Sequence, residues 1–359
     1  MIKSQLFESD ISFEVIKSIE TENYLAIDTE FMREKTFFAQ LCLIQVGLPE
    51  SIYCIDALLN RELKKFWESA SKKEWIIHSA RQDLEVIYQT ASVLPINLFD
   101  TQVAAGILGH QPQLGYANLV ENLFGVTLEK NQTRANWSKR PFTKEMLSYA
   151  AEDVEYLLAS HQLMTEKLHK LGRLTWAKDD SNSLINENIY KPSSKIVADK
   201  IKAIHYLSGK EKKAAYLIAE WREERAITKN LPRKWVLSDK VLLDIAISKI
   251  EEINDLTKIK NLSSSIIIHS GEEILGLLKA ASSNNEEYTA KLKITEQERI
   301  IVTEMTKIIK QESQKLDIYP EILASKKELR SLVRGNLNSR VNNGWRKNIV
   351  GSKLLDLMN

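Results

Sequence analysis

The first hundred residues carry apolar runs that are short, β-branched and separated by polar turns. YLAIDTEF (24–31), AQLCLIQVG (39–47) and SIYCIDAL (51–58) are rich in Ile, Leu, Val and Tyr, as consecutive strands are. GLPES joins the last two, which predicts an antiparallel meander of three strands. A helix is expected near 59–71 and a fourth strand at EWIIH (74–78). The next helix opens at Ser79-Ala80-Arg81-Gln82, where the Ser-x-x-Gln spacing predicts a capping box. INLFD (96–100) reads as a fifth strand before a helix to about residue 108. Strands interleaved with helices imply an α/β layer, with helices packed on a mixed sheet.

From about residue 114 the period changes from strand to helix. LGYANLVENLFG predicts a helix stopped at Gly125, and a polar, basic loop follows over 129–142. A single long helix is then expected from Thr143 to Leu171, closed by Gly172, with Leu147, Ala151, Val154 and Leu158 at helical spacing. The polar stretch 179–200, with Pro192 and a pair of serines, reads as a linker. Everything beyond is helical. REERAITKNLPRKWVLSDKVLLDIA (222–246) and KQESQKLDIYPEILASKKELRSLV (310–333) share one plan: a charged helix, a proline, a short apolar turn, a Ser-x-Lys cap and a new helix. Pro232 and Pro320 lie 88 residues apart, which suits two small helical domains of one type. The expected organisation is an α/β domain over 1–178, a linker over 179–205, and helical domains over 206–288 and 289–359.

Composition narrows the class. At 43% hydrophobic and 27% charged residues the chain is ordinary for a folded protein. No apolar run approaches the roughly 20 residues that span a bilayer, and the opening stretch lacks an apolar signal core. Cys42 and Cys54, both inside apolar runs, read as buried thiols in a reducing compartment, so a cytoplasmic location is expected. The net charge of +2 hides an asymmetry: residues 1–190 hold 19 basic against 26 acidic side chains, and the remainder 31 against 22. An acidic half joined to a basic half fits a metal-using domain beside a polyanion-binding one, although solvated helix faces would look the same. No phosphate-binding glycine loop or nucleophile elbow occurs, which argues against an NTPase or a serine hydrolase.

The chemistry concentrates in five residues. Asp28 and Glu30 lie two apart on an otherwise apolar strand, so both carboxylates point to one face. Asp83 falls in the first turn of the helix after the fourth strand. Asp153 follows Tyr149 by one helical turn on the long helix. Taken singly, these are a solvent-facing strand edge, a helix-dipole acid and a solvated helix position. Four converging carboxylates without compensating bases would repel one another, and hard divalent cations such as Mg²⁺ or Mn²⁺ remove that repulsion. Two such ions about 4 Å apart can clamp a phosphodiester, one activating water and the other stabilising the leaving oxygen.

AIDTEF, HSARQDLEVIY and YAAEDVEYLL resemble the three ordered motifs of the DEDD exonuclease superfamily. The Tyr-x₃-Asp spacing resembles its tyrosine branch, since the histidine branch would place His at 148, where this chain has Ser148. QTRANWSKRPFT (132–143) is similar to the ribonuclease D family, and LPRKWVLSDKVLLDIA resembles the helical HRDC module shared by that family and RecQ helicases. GWRKNIVGSKLLDLM resembles the end of the same proteins. The resemblance implies an α/β ribonuclease H-like exonuclease domain followed by two all-α HRDC-like domains. It implies that Asp28, Glu30, Asp83 and Asp153 hold two Mg²⁺ or Mn²⁺ ions and that Tyr149 orients the attacking water. A phenol, with an ordinary pKa near 10, is a poor base at neutral pH. The implied activity is metal-dependent 3′→5′ exoribonuclease action on structured RNAs such as tRNA precursors, releasing 5′-nucleoside monophosphates, by a monomer with no membrane partner. A DNA exonuclease with the same catalytic set, or an RNA-binding protein with a vestigial nuclease domain, are the rival readings. The second helical domain lacks the Arg-x-Trp that follows Pro232, which sets it apart from the module's pattern.

Secondary candidates surround this set. Phe31 can stack on a terminal base or fill the core, because its alternation with Thr29 puts it opposite Asp28 and Glu30. Gln40 and Gln45, on the neighbouring strand, are candidates to hydrogen-bond substrate or are simply polar sheet positions. Arg134, Lys139 and Arg140 in the loop before the long helix are expected to meet phosphates, with Trp137 stacking or pinning the loop. His78 reads as a hydrogen-bonded structural residue. In the first helical module Arg222, Arg225, Arg233, Lys234 and Trp235 form a basic-aromatic group, either an RNA contact or a solvated face with Trp235 buried.

Overall fold

The computed structural model describes all residues except 1–2, 9–10, 61–62, 130–131, 133–134, 192, 283–287, 291–293 and 359. In chain order its elements begin β1 (Lys3–Phe7), α1 (Phe13–Thr21), β2 (Tyr24–Met32), β3 (Gln40–Gly47) and β4 (Ser51–Asp56). They continue with α2 (Leu63–Ala70), β5 (Glu74–Ile77), α3 (Arg81–Ala91), β6 (Asn97–Asp100), α4 (Thr101–Ile107) and α5 (Tyr116–Phe124). Next come α6 (Lys144–Glu155), α7 (Leu157–Lys170), α8 (Leu174–Asn182), α9 (Glu187–Tyr190) and α10 (Ser194–Val197). The remaining main helices are α11 (Gly209–Thr228), α12 (Arg233–Val236), α13 (Asp239–Ile247), α14 (Ser264–Ser282), α15 (Glu296–Leu316), α16 (Pro320–Leu323) and α17 (Lys326–Val333).

The six strands form one mixed sheet in the order β1-β4-β3-β2-β5-β6. β2, β3 and β4 are the antiparallel meander that the turn residues predict, while β5 and β6 run parallel to β2. Two elements were not legible from the sequence. β1 is an edge strand parallel to β4, and α1 is capped by the Ser12 hydroxyl, which accepts from the Val15 N–H at 3.4 Å.

Three local expectations change. The helix after β5 is not capped by Ser79, which instead turns the chain with φ +63°. The carboxylate of Asp100, at the end of β6, accepts from the Ser79 and Ala80 N–H groups at 3.0 and 2.9 Å, and it also caps α4 through the Gln102 N–H at 2.8 Å. The long helix expected over 143–171 breaks at Tyr156, where the Tyr116 hydroxyl enters the backbone ladder. It donates to the Glu152 carbonyl and accepts from the Tyr156 N–H, both at 3.2 Å, in place of the helical bond between those two groups. Finally, 179–200 carries structure where a linker is expected. α8 runs to Asn182, whose side chain accepts from the Leu98 N–H at 2.9 Å, and the Ser181 hydroxyl accepts bonds from the Asp100 N–H at 3.0 Å.

The chain divides into two compact units. One comprises Met1–Met32, Gln40–Tyr190 and Ile294–Asn359; the other comprises Arg33–Ala39 and Lys191–Lys293. In the first, the sheet and α4–α8 enclose an apolar core that includes Ala26, Ile76, Phe99, Ala150, Val154 and Leu168. The C-terminal helices pack into this same unit. Gly109, with φ +95°, sits where a Cβ would lie 2.5 Å from the Asp317 carbonyl oxygen, so only glycine allows this approach. Arg173 ties the two parts together, donating to the Ile107 carbonyl at 3.1 Å and the Leu316 carbonyl at 2.7 Å. Trp345 stacks on Trp176 with centroids 4.3 Å apart. In the second unit, α11, α13 and α14 close around Ala215, Ile218, Leu242, Ile245 and Ile274.

The buried Arg346 guanidinium donates twice to the Asp180 carboxylate, both at 2.7 Å, and once to the Ile322 carbonyl at 2.9 Å. Asp180→Ala leaves that cation buried without its counter-charge, and the expected loss is about 3 kcal/mol of unfolding free energy, measured by denaturant titration. An unchanged midpoint would show that the C-terminal segment is not held by this pair.

Candidate active site

Leu25, Ala26 and Ile27 are fully buried and anchor β2 in the middle of the sheet, so the next polar residues, Asp28 and Glu30, emerge at a fixed height. Alternation sends both to the face covered by α6. The helix can approach because Ala26 and Gly47 are cross-strand partners with little side chain. A Cβ on Gly47 would lie 3.1 Å from the Val154 carbonyl oxygen. Val154 follows Asp153, and the result is that one carboxylate oxygen each of Asp28, Glu30 and Asp153 lie within 4.8 Å of one another. Tyr149, one turn earlier on α6, hydrogen-bonds the Asp153 carboxylate and packs against Trp137 at 6.3 Å between centroids. Asp83 stands beside this trio rather than within it. It is buried in the first turn of α3, and its Oδ1 accepts from the Thr29 hydroxyl at 2.6 Å.

Electrostatics mark the cluster. Burial, then the charges of Asp83, Asp153 and Glu30, hold the Asp28 carboxyl well above the usual carboxylate range. Burial, reinforced by Asp153 and Asp83, pushes Glu30 up to about 9. Burial raises Asp83 to about 7 against the opposing Thr29 hydrogen bond, and raises Asp153 to about 7 against that of Tyr149. A group of acids that cannot all ionise is a cation site by its chemistry, and oxygen-only donors at this spacing suit a hard divalent ion. The donor set therefore fits such a metal.

The secondary candidates scatter. Phe31 is half-buried, and the β2–β3 register slips between Glu30 and Phe31, so strict alternation does not set its face. Gln40 is exposed at the start of β3, whereas Gln45 is fully buried opposite Asp28. Arg134 lies outside the described residues. Arg140 corrects the expected phosphate contact. Its guanidinium donates to the Asp56 carboxylate through Nε and Nη2, to the carbonyls of Trp137 and Lys139 through Nη1, and to that of Cys42 through Nη2. It also lies over the Phe142 ring at 3.9 Å, so its donors are committed to the fold. Trp137 is buried and pins the loop; Lys139 is exposed. His78 is structural, held between the Thr101 hydroxyl at 2.9 Å and the Leu114 carbonyl at 2.8 Å. In the second unit Arg233 donates to Glu223 at 2.5 Å and covers the Phe37 ring at 4.6 Å, while the buried Arg222 donates to Asp239 at 2.6 Å. Arg225 reaches Glu273 at 3.5 Å. Lys234 is exposed, and so is Trp235, at 60%, where a buried ring was the alternative.

Residues 6–169 match the 3′-5′ exonuclease family and residues 211–278 match the HRDC domain. With a mixed sheet carrying an acidic trio on its helix-covered face, these matches define the class as a 3′→5′ exonuclease acting on nucleic acid. The chain belongs to the ribonuclease D family and is an exoribonuclease: it is 31% identical to ribonuclease D of Bartonella henselae over 94% of this chain and 86% of that one. It is 32% identical to ribonuclease D of a Shewanella species over 73% and 68%. The fold matches that of Escherichia coli RNase D, an exoribonuclease involved in structured RNA processing, with a TM-score of 0.89 over 99% of both chains at 24% identity. The catalytic core of RRP6 from Trypanosoma brucei aligns with a TM-score of 0.57 over 79% of this chain and 81% of that one, at 20% identity.

Carboxyls whose folded pKa lies above the unfolded value stabilise the fold only while protonated. Metal-free stability should therefore fall as pH rises through about 7 and on toward 9. Thermal melts are expected to show a larger Mg²⁺- or Mn²⁺-induced rise at about pH 8.5 than at about pH 6, because the ion displaces protons at low pH and relieves repulsion at high pH. Equal rises at both would remove the acid cluster as the ion's site.

Proposed function

We propose that this exoribonuclease hydrolyses the terminal phosphodiester of RNA at the site formed by Asp28, Glu30, Asp83 and Asp153, with Tyr149 orienting the attacking water. The observation that carries the reading is the convergence of the Asp28, Glu30 and Asp153 oxygens within 4.8 Å, with Tyr149 bonded to Asp153. Two divalent ions, Mg²⁺ or Mn²⁺, would supply charge neutralisation, activation of water and stabilisation of the leaving 3′ oxygen. Asp28, Glu30 and Asp153 would hold these ions directly. Asp83, anchored by Thr29, completes the set from α3. The Tyr149 phenol, steadied by the Trp137 ring, is placed to hold the water in line with the phosphorus–oxygen bond. The products are 5′-nucleoside monophosphates, and the preferred substrates are structured RNAs with 3′ extensions, such as tRNA precursors.

A cationic groove on the C-terminal helices supports contact with the RNA backbone. Arg299, Lys307 and Lys310 of α15 face Lys326 and Arg330 of α17 across it, with Thr303 and Thr306 on its floor. Lys307 is paired with Glu304 at 2.7 Å, whereas Lys310, Lys326 and Arg330 have no ion-pair partner among the described residues.

The direct test is digestion of a 5′-labelled tRNA bearing a 3′ extension. Wild type is expected to give a ladder shortening from the 3′ end that EDTA abolishes. Asp28→Asn and Asp153→Asn should lose it while melting normally, and Tyr149→Phe should lower kcat more than it raises KM. Degradation of DNA alone would overturn the RNA assignment, and a normal ladder from Asp28→Asn would overturn the site. For the groove, Lys310→Glu with Arg330→Glu should weaken RNA binding and reduce the slope of log affinity against log salt by about 2. An unaltered slope would place the backbone contacts elsewhere.

A further inference from the structure

Gln45 lies inside the protein with no solvent exposure, and neither its amide nitrogen nor its amide oxygen has a hydrogen-bond partner among the described residues. A buried amide left unsatisfied is destabilising, and a methionine of similar size would fill the space without that penalty. Its position gives the amide a use. Gln45 is the direct partner of Asp28 in the antiparallel β2–β3 pair, so the two side chains leave the sheet on the same face as neighbours. Two residues on, Gly47 meets the Val154 carbonyl, so this face is the one that α6 closes beside Asp153.

We propose that Gln45 is a positioning residue for the cation site: when a divalent ion draws one Asp28 oxygen, the Gln45 amide N–H donates to the other and fixes the carboxylate's rotation. The proposal rests on the reading of Asp28 as a metal ligand. Hydrogen bonds to the free oxygen of a ligating carboxylate commonly govern metal affinity by tenfold or more. Without the ion, Asp28 sits beside Glu30 and Asp153, and the Gln45 amide has no hydrogen-bond partner among the described residues.

The test uses the full-length protein, with Mn²⁺ and Mg²⁺ as probes in calorimetric titrations. Gln45→Met should melt at the same temperature as wild type or higher without metal, yet bind Mn²⁺ about tenfold more weakly. Its KM for RNA should hold while kcat at fixed metal falls. Full Mn²⁺ affinity in Gln45→Met overturns the proposal, because a merely structural glutamine would change stability and leave the ion untouched. A readout that needs no variant is the side-chain amide signal of Gln45 in ¹⁵N spectra of wild type, assigned through the backbone of β3. Mg²⁺ should shift it downfield and slow its exchange with solvent, and an amide that ignores Mg²⁺ overturns the proposal even if the variant fails to fold. Asp28→Asn separates this inference from its premise. Full Mn²⁺ affinity in Asp28→Asn would sink the metal site itself, whereas loss there with full affinity in Gln45→Met sinks only the role of Gln45.

Discussion

Three acidic oxygens held within 4.8 Å repel one another, and nothing in the acids themselves brings them together. The surrounding structure has to impose their meeting. Asp28 and Glu30 are fixed because β2 is central, hydrogen-bonded on both sides and buried just before them. Asp153 is brought in by the approach of α6 over the Ala26–Gly47 pair, where almost no side chain separates helix from sheet. Asp83 is steered by an acid outside the cluster: Asp100 sets where α3 begins by binding the N–H groups of Ser79 and Ala80. The same carboxylate caps α4, so one side chain registers two helices against the sheet.

The loop before α6 follows the same logic. Asp56, at the end of β4, is fully buried and accepts from the Leu58 and Leu59 N–H groups as well as from Arg140. Arg140 in turn gathers the carbonyls of Cys42, Trp137 and Lys139 and covers Phe142. That set of bonds seats the loop on the sheet and delivers the chain to the Thr143 cap of α6, whose hydroxyl accepts from the Met146 N–H at 3.2 Å. An arginine that looks in sequence like a phosphate ligand thus works at one remove, by fixing the helix that carries Tyr149 and Asp153.

What the sequence makes legible is what neighbours in the chain decide. The meander of β2–β4, the shared face of Asp28 and Glu30, and the Tyr149–Asp153 turn all follow from local periodicity and local turn residues. Features set by distant partners do not. The break at Tyr156 needs the hydroxyl of Tyr116, forty residues earlier in the chain. The turn that leads into α3 is held by Asp100, which needs β6 laid beside β5. The polar run after α7 looks like a linker because its anchors, Asn182 on Leu98 and Ser181 on Asp100, are contacts across more than eighty residues. Gln45 is obscured differently: within LCLIQVG a lone glutamine reads as an ordinary sheet position until its complete burial is known.

The two helical segments after the exonuclease region share a sequence plan and differ in what they do with charge. In the first, Arg222 and Arg233 turn their guanidinium groups to Asp239 and Glu223, so two of the motif's cations hold its own helices together. In the second, which lacks the Arg-x-Trp, Lys310, Lys326 and Arg330 have no ion-pair partner among the described residues along a groove. This segment also shares a unit with the catalytic sheet, joined through Arg173, Arg346 and the Trp176–Trp345 stack. A basic motif in sequence is therefore a poor guide to positive charge that is free to meet phosphate. An arginine beside a buried acid is consumed by the fold, and a lysine or arginine whose nearby acid is already taken, as Glu328 is by Arg340 and Ser325, keeps its charge for phosphate.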